Sequence, residues 1–113
     1  MNNSYEIILT DDAITDLEEL KYYIATVLRA PATALSYIRE IRQAIESLSE
    51  LPGRIKLLDD EPWHTRGIRR LMVKNFFVYF RIDEDDMLIY IMNIIYNRRD
   101  QFKQISDYPQ EEN

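Results

Sequence analysis

The chain has 113 residues, a net charge of −6 and no cysteine. That length suits one domain with a modest core and no covalent staple, and the lack of cysteine excludes disulfides, thiolate–metal sites and a cysteine nucleophile. The acidic balance argues against a general nucleic-acid binder, because polyanions are held by net-basic surfaces.

The N-terminal MNNSYEIILT lacks the basic start and long apolar core of a secretion signal. The longest apolar run, Met87 to Tyr96, is about half of the ~20 residues a membrane helix needs. A soluble cytoplasmic protein is therefore expected. A single domain is expected over residues 1–113, with a helical hairpin at about 11–51, a strand meander at about 67–97 and a polar tail at about 106–113.

Tyr5 to Leu9 is short and rich in isoleucine, which reads as a strand. Thr10, Asp11 and Asp12 then offer an N-cap and acids for the first turn of a helix. Ala13, Leu17, Leu20, Ile24 and Val27 recur at spacings of four, three, four and three, the apolar stripe of an amphipathic helix. Pro31 fits the first turn of a second helix, where Ala34, Ile38, Ile41, Ile45 and Leu48 repeat that spacing until Pro52-Gly53 ends it. Two such helices joined by few residues form an antiparallel hairpin. Its stripes need an apolar surface to cover.

That surface is the stretch from Gly67 to Asp100. Three runs rich in Ile, Val, Phe and Tyr are separated by Lys74-Asn75 and by the acidic turn Asp83 to Asp86. Breaks this short allow only antiparallel hairpins. Asn75 is the residue expected to take the positive φ of the first turn. Strict alternation places Phe76, Val78, Phe80 and Ile82 on the core face of the middle strand, with Tyr79 and Arg81 projecting from the other. In the last strand it groups Leu88, Tyr90, Met92, Ile94 and Tyr96 against Met87, Ile89, Ile91, Asn93 and Ile95. Both sets are apolar, so this strand is expected to be central. Ile55 to Leu58 is a further short strand candidate, and Arg99 to Ile105 a short helix candidate. The expected class is α+β: a mainly antiparallel sheet, formed by the meander and the N-terminal strand, packed against the αα-hairpin.

Few residues offer chemistry. One histidine and no cysteine leave no metal site, and Asp83 to Asp86 lacks the glycine and ligand spacing of a calcium loop. With two glycines there is no phosphate-cradling loop, and no cofactor is expected. His64, beside Trp63, is the sole imidazole and reads as a surface or packing residue rather than a general base. The arginines are more informative. From His64 to Ile82 there are five bases (Arg66, Arg69, Arg70, Lys74 and Arg81) and no acid, a local basic face on an acidic chain. Arg69 and Arg70 are adjacent on a strand and must point to opposite faces, while Arg98 and Arg99 follow the last strand. Guanidinium groups bind phosphate through paired donors, so an arginine-rich edge with aromatics is compatible with RNA, and salt bridges within the fold are the equally weighted alternative.

The hairpin segment from Leu9 to Arg54 and the strands GIRRLMV, VYFRID and YNRRD, in that order and spacing, resemble the RelE/ParE superfamily of bacterial toxins from type II toxin–antitoxin modules. The resemblance spans roughly residues 5–102. It implies a small toxin of a plasmid-stabilisation or addiction type, which inhibits growth until a cognate antitoxin binds it in a hetero-oligomer without a membrane. It also implies an apolar groove for the antitoxin along the helical hairpin and the sheet edge. Leu17, Leu20, Ile24, Ile38 and Ile41 are the candidate contacts, with core packing as the alternative.

The superfamily divides between ribosome-dependent mRNA endonucleases and poisons of DNA gyrase. Arg99 matches the arginine that follows the last strand in the RelE-like cleavers, and Arg69 falls near a basic position of an earlier strand. These two are the catalytic candidates of a metal-independent nuclease. For either target, Arg66, Arg70, Lys74, Arg81, Arg98 and Tyr79 are the expected contact residues. The arginine those enzymes carry after the hairpin turn aligns with Phe76 here, and Ile105 stands at the spacing of their C-terminal tyrosine. These departures and the long hairpin tip the expected target to gyrase. RelE-like mRNA cleavage is the first alternative, and an inactive member acting as a binding or regulatory module the second.

Overall fold

The structure, a computed structural model, describes residues 4–96. In chain order it contains β1 (Glu6–Leu9), α1 (Asp11–Tyr22) continuing into a π-helical turn (Tyr23–Val27), α2 (Pro31–Glu46), two 3-10 turns (Ser47–Ser49 and Pro52–Arg54), β2 (Ile68–Val73), β3 (Phe76–Asp83) and β4 (Leu88–Tyr96). The strands form one sheet in the order β1-β4-β3-β2. β2, β3 and β4 are the antiparallel meander, whereas β1 pairs parallel to β4, Ile7 opposite Ile89. The class is α+β as expected, with a mixed sheet, and β4 is an interior strand.

The hairpin starts where its capping chemistry predicts. Thr10 is the N-cap of α1, and its Oγ1 accepts from Ala13 N at 3.2 Å. Pro31 opens α2, where its missing N–H costs no helical bond. The stripes turn inward: Ala13, Leu17 and Ile24 of the first helix and Ala34, Ile41, Ile45 and Leu48 around the second are buried. Val27 departs from the pattern and is 58% exposed. The π-helical turn explains this, because an i→i+5 ladder slips the helix by one residue and rotates its C-terminal end off the stripe.

Across the core, the inner sheet face supplies Phe76, Val78 and Phe80 from β3 and Ile89, Ile91 and Ile94 from β4. The strict alternation expected for β4 is broken. Tyr79 pairs with Asn93 but Phe80 pairs with Ile91, so Met92 is an extra residue, a β-bulge. Ile94 and Tyr96 thereby join Ile89 and Ile91 on the inner face, and Asn93 and Ile95 move to the outer one. The bulge's polar groups are satisfied from α1. Thr10 Oγ1 donates to the carbonyls of Ile91 (2.8 Å) and Met92 (3.1 Å). The Ile94 N–H and the Asn93 amide donate to Asp16 Oδ2 at 2.8 and 3.3 Å.

Two local expectations change. The positive φ of the first hairpin turn falls on Lys74 (53°), not Asn75. The strand foreseen at Ile55 to Leu58 is reduced to one bridge, Leu57 with Arg69. Among the described residues, no helix is long and apolar enough to cross a membrane.

Candidate functional site

The helices cover one face of the sheet and leave the other open. On that outer face, strand pairing lines up Ile68 with Arg81, Arg70 with Tyr79 and Tyr79 with Asn93, because directly opposed residues project to the same side. The loop from Asp59 to Gly67 rises beside it and encloses a groove of about 720 Å³. Arg66, Arg70, Arg81, Tyr79, Asn93 and the acid Asp60 line it, with Leu58, Trp63, Ile68, Met92 and Ile95 as its apolar parts.

The loop is held by its own hydrogen bonds. His64 Nδ1 donates to the Leu58 carbonyl at 2.8 Å, and Leu58 N donates to Ile68 O at 2.9 Å. The Thr65 N–H donates to Glu61 Oε1 at 3.0 Å, and hydrogen bonding from Thr65 holds the Glu61 carboxyl below its ordinary range. Ile68 N donates to Trp63 O at 3.0 Å, which ties the tryptophan backbone to the start of β2. His64 is therefore a loop fastener.

Each groove arginine lies over an aromatic ring. Arg66 sits 5.5 Å from the Trp63 ring centroid, Arg70 4.4 Å from Phe77 and Arg81 4.9 Å from Tyr90. Such contacts contribute about 0.5–1 kcal/mol at exposed sites, and they hold the guanidinium planes without neutralising them. The ion pairs found among the described residues, Lys56–Asp59 and Lys74–Glu40, involve none of the three.

The remaining sequence candidates lie elsewhere. Arg69 points to the inner side and donates to the Ile55 carbonyl, and its Nε is buried without a hydrogen-bond partner among the described residues. It fastens the loop to β2 and does not enter the groove. Lys74, at the hairpin turn, faces α2, 3.4 Å from Glu40 and 5.4 Å from the Tyr37 ring centroid. Arg98 and Arg99, with the Arg99 to Ile105 helix candidate and the tail, lie outside the described residues. Leu17, Ile24 and Ile41 are core residues, with Leu20 and Ile38 packed against them, so these stripes fill the interior and do not line an open groove. The apolar surface of the hairpin is instead carried by Ile14, Tyr22, Val27, Leu28 and Leu35.

Phe76, at the hairpin exit, is 1% exposed. It stacks on Tyr96 (centroids 4.9 Å apart) and meets Tyr37 edge-on at 5.7 Å. Burial pushes the Tyr96 phenol above its usual value, with Tyr37 and Tyr23 adding to the shift. No charged or proton-transferring group stands at this position.

Residues 7–101 match the family described as ParE toxin of type II toxin–antitoxin system, parDE. The chain belongs to the ParE toxin family. Comparison with curated proteins gives no significant match. Among solved structures, the chromosomal ParDE toxin–antitoxin system of Pseudomonas aeruginosa aligns with a TM-score of 0.68 at 22% identity, over 84% of this chain and 98% of that one. The RelBE2 toxin–antitoxin complex of Mycobacterium tuberculosis aligns at 0.57 and 21% identity, over 82% and 98%. The archaeal RelE–RelB complex of Pyrococcus horikoshii aligns at 0.56 and 13% identity, over 85% and 98%. At these identities the likeness is one of fold. Within the ParE toxin frame, the groove gathers Arg66, Arg70, Arg81 and Tyr79 and omits Arg69 and Lys74. Asn93, Ile95 and Trp63 are members that alternation could not reveal, since the first two depend on the bulge and the third on the loop.

Proposed function

We propose that this chain is the growth-inhibiting toxin of a type II toxin–antitoxin pair, that it acts on DNA gyrase, and that a cognate antitoxin neutralises it. Family membership supports the toxin reading. The observation that favours gyrase over mRNA is Phe76. In-line cleavage of RNA by the ribose 2′-hydroxyl needs cationic charge stabilisation and proton transfer at the scissile phosphate. A phenylalanine sealed between Tyr37 and Tyr96 supplies neither from the position where the RelE-like cleavers carry an arginine.

The outer-face groove is the surface that meets the target. It is open, it sets three arginines against one lining acid, Asp60, on an acidic chain, and its arginines are pre-oriented by aromatic rings. A second reading, ribosome-dependent mRNA cleavage, draws on Tyr79 standing among three guanidinium groups in that groove. Neutralisation belongs to the same proposal, since the ParDE, RelBE2 and RelE–RelB relatives are toxin–antitoxin assemblies.

Inducing the gene alone, and then together with its neighbouring reading frame, tests the toxin reading. Arrest by the first and recovery with the second is the expected result. Normal growth despite soluble expression of the single chain contradicts it and favours an inactive binding module.

A further inference from the structure

The chemistry of the groove narrows what it can hold. Its cations come singly, each backed by a ring, with apolar side chains between them. Ile68, Met92 and Ile95 share the outer face with Arg70 and Arg81, and Trp63 and Ile95 remain 45% and 47% exposed. Acids stand beside these cations: Asp60 lines the groove itself. Asp59, Asp60 and Glu61 precede Trp63, and Asp83 to Asp86 follow Arg81 at the tip of the β3–β4 turn. A polynucleotide held by the arginines would meet like charge from Asp60 within the groove and from the acidic turn beyond Arg81, on a chain of net charge −6.

An extended peptide meets no such conflict. Side chains on one face of a strand recur every ~6.6–6.8 Å, and the same period separates Tyr79 from Arg81 on β3 and Ile68 from Arg70 on β2. A segment alternating carboxylates with bulky apolar residues would set its acids on Arg70 and Arg81 and an apolar side chain against Trp63. Carboxylate pairs with guanidinium bidentately, as phosphate does, but brings one charge at a time.

We infer that the outer-face groove is a docking site for an extended acidic–apolar segment of the protein this toxin inhibits, and not for nucleic acid. The inference rests on the toxin reading for the identity of the partner, but the ligand chemistry rests on the groove alone.

Trp63 is the single tryptophan and lies in the groove, so its fluorescence reports occupancy directly. The full chain is titrated with a capped decapeptide alternating glutamate and leucine, with the same peptide carrying glutamine for glutamate, and with oligothymidylate of equal length. The glutamate peptide is expected to give a saturable Trp63 signal that weakens with added salt. The doubly substituted Arg70→Gln/Arg81→Gln chain should bind it at least about tenfold more weakly, while Lys74→Gln, outside the groove, should bind as the parent does. Matching circular dichroism and thermal midpoints establish that the double variant is folded. A thermal midpoint lowered in the double variant moves the comparison to the single Arg70→Gln chain, whose exposed side chain carries no interior packing. Equal binding of the glutamine peptide, tighter binding of oligothymidylate, or no signal with the glutamate peptide overturns the inference. Because no gyrase is present, a failure here is separate from a failure of the gyrase reading.

Discussion

Replacing Asp16 with alanine probes the contact that joins the helical hairpin to the bulge. Its Oδ2 accepts the Ile94 N–H at 2.8 Å and the Asn93 amide at 3.3 Å. Ile94 lies beyond the end of the β1–β4 pairing at Leu9 and Ile91, and Asp16 is the acceptor of its N–H, so Asp16→Ala leaves a part-buried donor unsatisfied. Hydrogen bonds to charged acceptors contribute about 1.5–3 kcal/mol each. The longer bond and the partial exposure of Asp16 bring the expected total loss to about 2 kcal/mol, a substantial share of the ~5–15 kcal/mol typical of a domain. Asp16→Asn keeps a neutral acceptor and should lose about 1 kcal/mol. Glu18→Ala, on the exposed side of the same helix, should stay within about 0.5 kcal/mol. Urea unfolding measures all three, with an unchanged slope confirming that only stability has moved. Amide exchange at Ile94 should quicken selectively in Asp16→Ala. If Asp16→Ala and Glu18→Ala unfold alike, the bulge is held by the sheet itself and α1 has no part in setting the groove floor.

The aromatic cluster and the N-cap give further expected outcomes. Phe76→Ala empties a fully buried site between Tyr37 and Tyr96 and should destabilise by about 3–5 kcal/mol, read by thermal or urea unfolding; a loss below about 1 kcal/mol would mean that the site collapses freely. For Tyr96 the folded state favours the neutral phenol, since burial raises it above the ordinary 10.0. The unfolded chain therefore releases this proton first, so the stabilisation is complete below pH 10.0 and is lost as pH rises through the folded value. Tyr96→Phe should show a shallower decline in alkaline urea titrations than the parent, and parallel curves would remove Tyr96 as the cause. Thr10→Ala removes both a cap and two bonds to the bulge carbonyls, and should cost about 1–2 kcal/mol by urea unfolding. A change within about 0.5 kcal/mol would show that water replaces Thr10 at the bulge.

The sequence carried much of the fold because several levels agreed. Thr10, Pro31 and the evenly spaced stripes mark the hairpin, and Phe76, Val78 and Phe80 mark the inner sheet face. The features that stayed hidden have a common physical cause. Leu88 to Tyr96 is apolar on both faces over most of its length, so inserting Met92 as an extra residue left no trace in the hydropathy pattern. The π-helical turn that exposes Val27 was masked in the same way, since an intact four-three spacing does not register a slip in the hydrogen-bond ladder.

Alternation alone was enough to separate Arg69 from Arg70. It could not bring Trp63 and Arg66 beside Arg81, because their position depends on a loop closed by His64, Leu58 and Ile68. The helical stripe read as a candidate antitoxin surface is interior because the same periodicity that makes a helix face sticky also makes it the natural lid of a sheet.

The gyrase supercoiling assay tests the central claim most directly. Purified chain, added to DNA gyrase with relaxed plasmid and ATP, should block supercoiling and accumulate cleaved DNA, and translating ribosomes treated with the same preparation should keep their mRNA intact. Unimpaired supercoiling together with cut mRNA would contradict the account and place this toxin with the RNA cleavers.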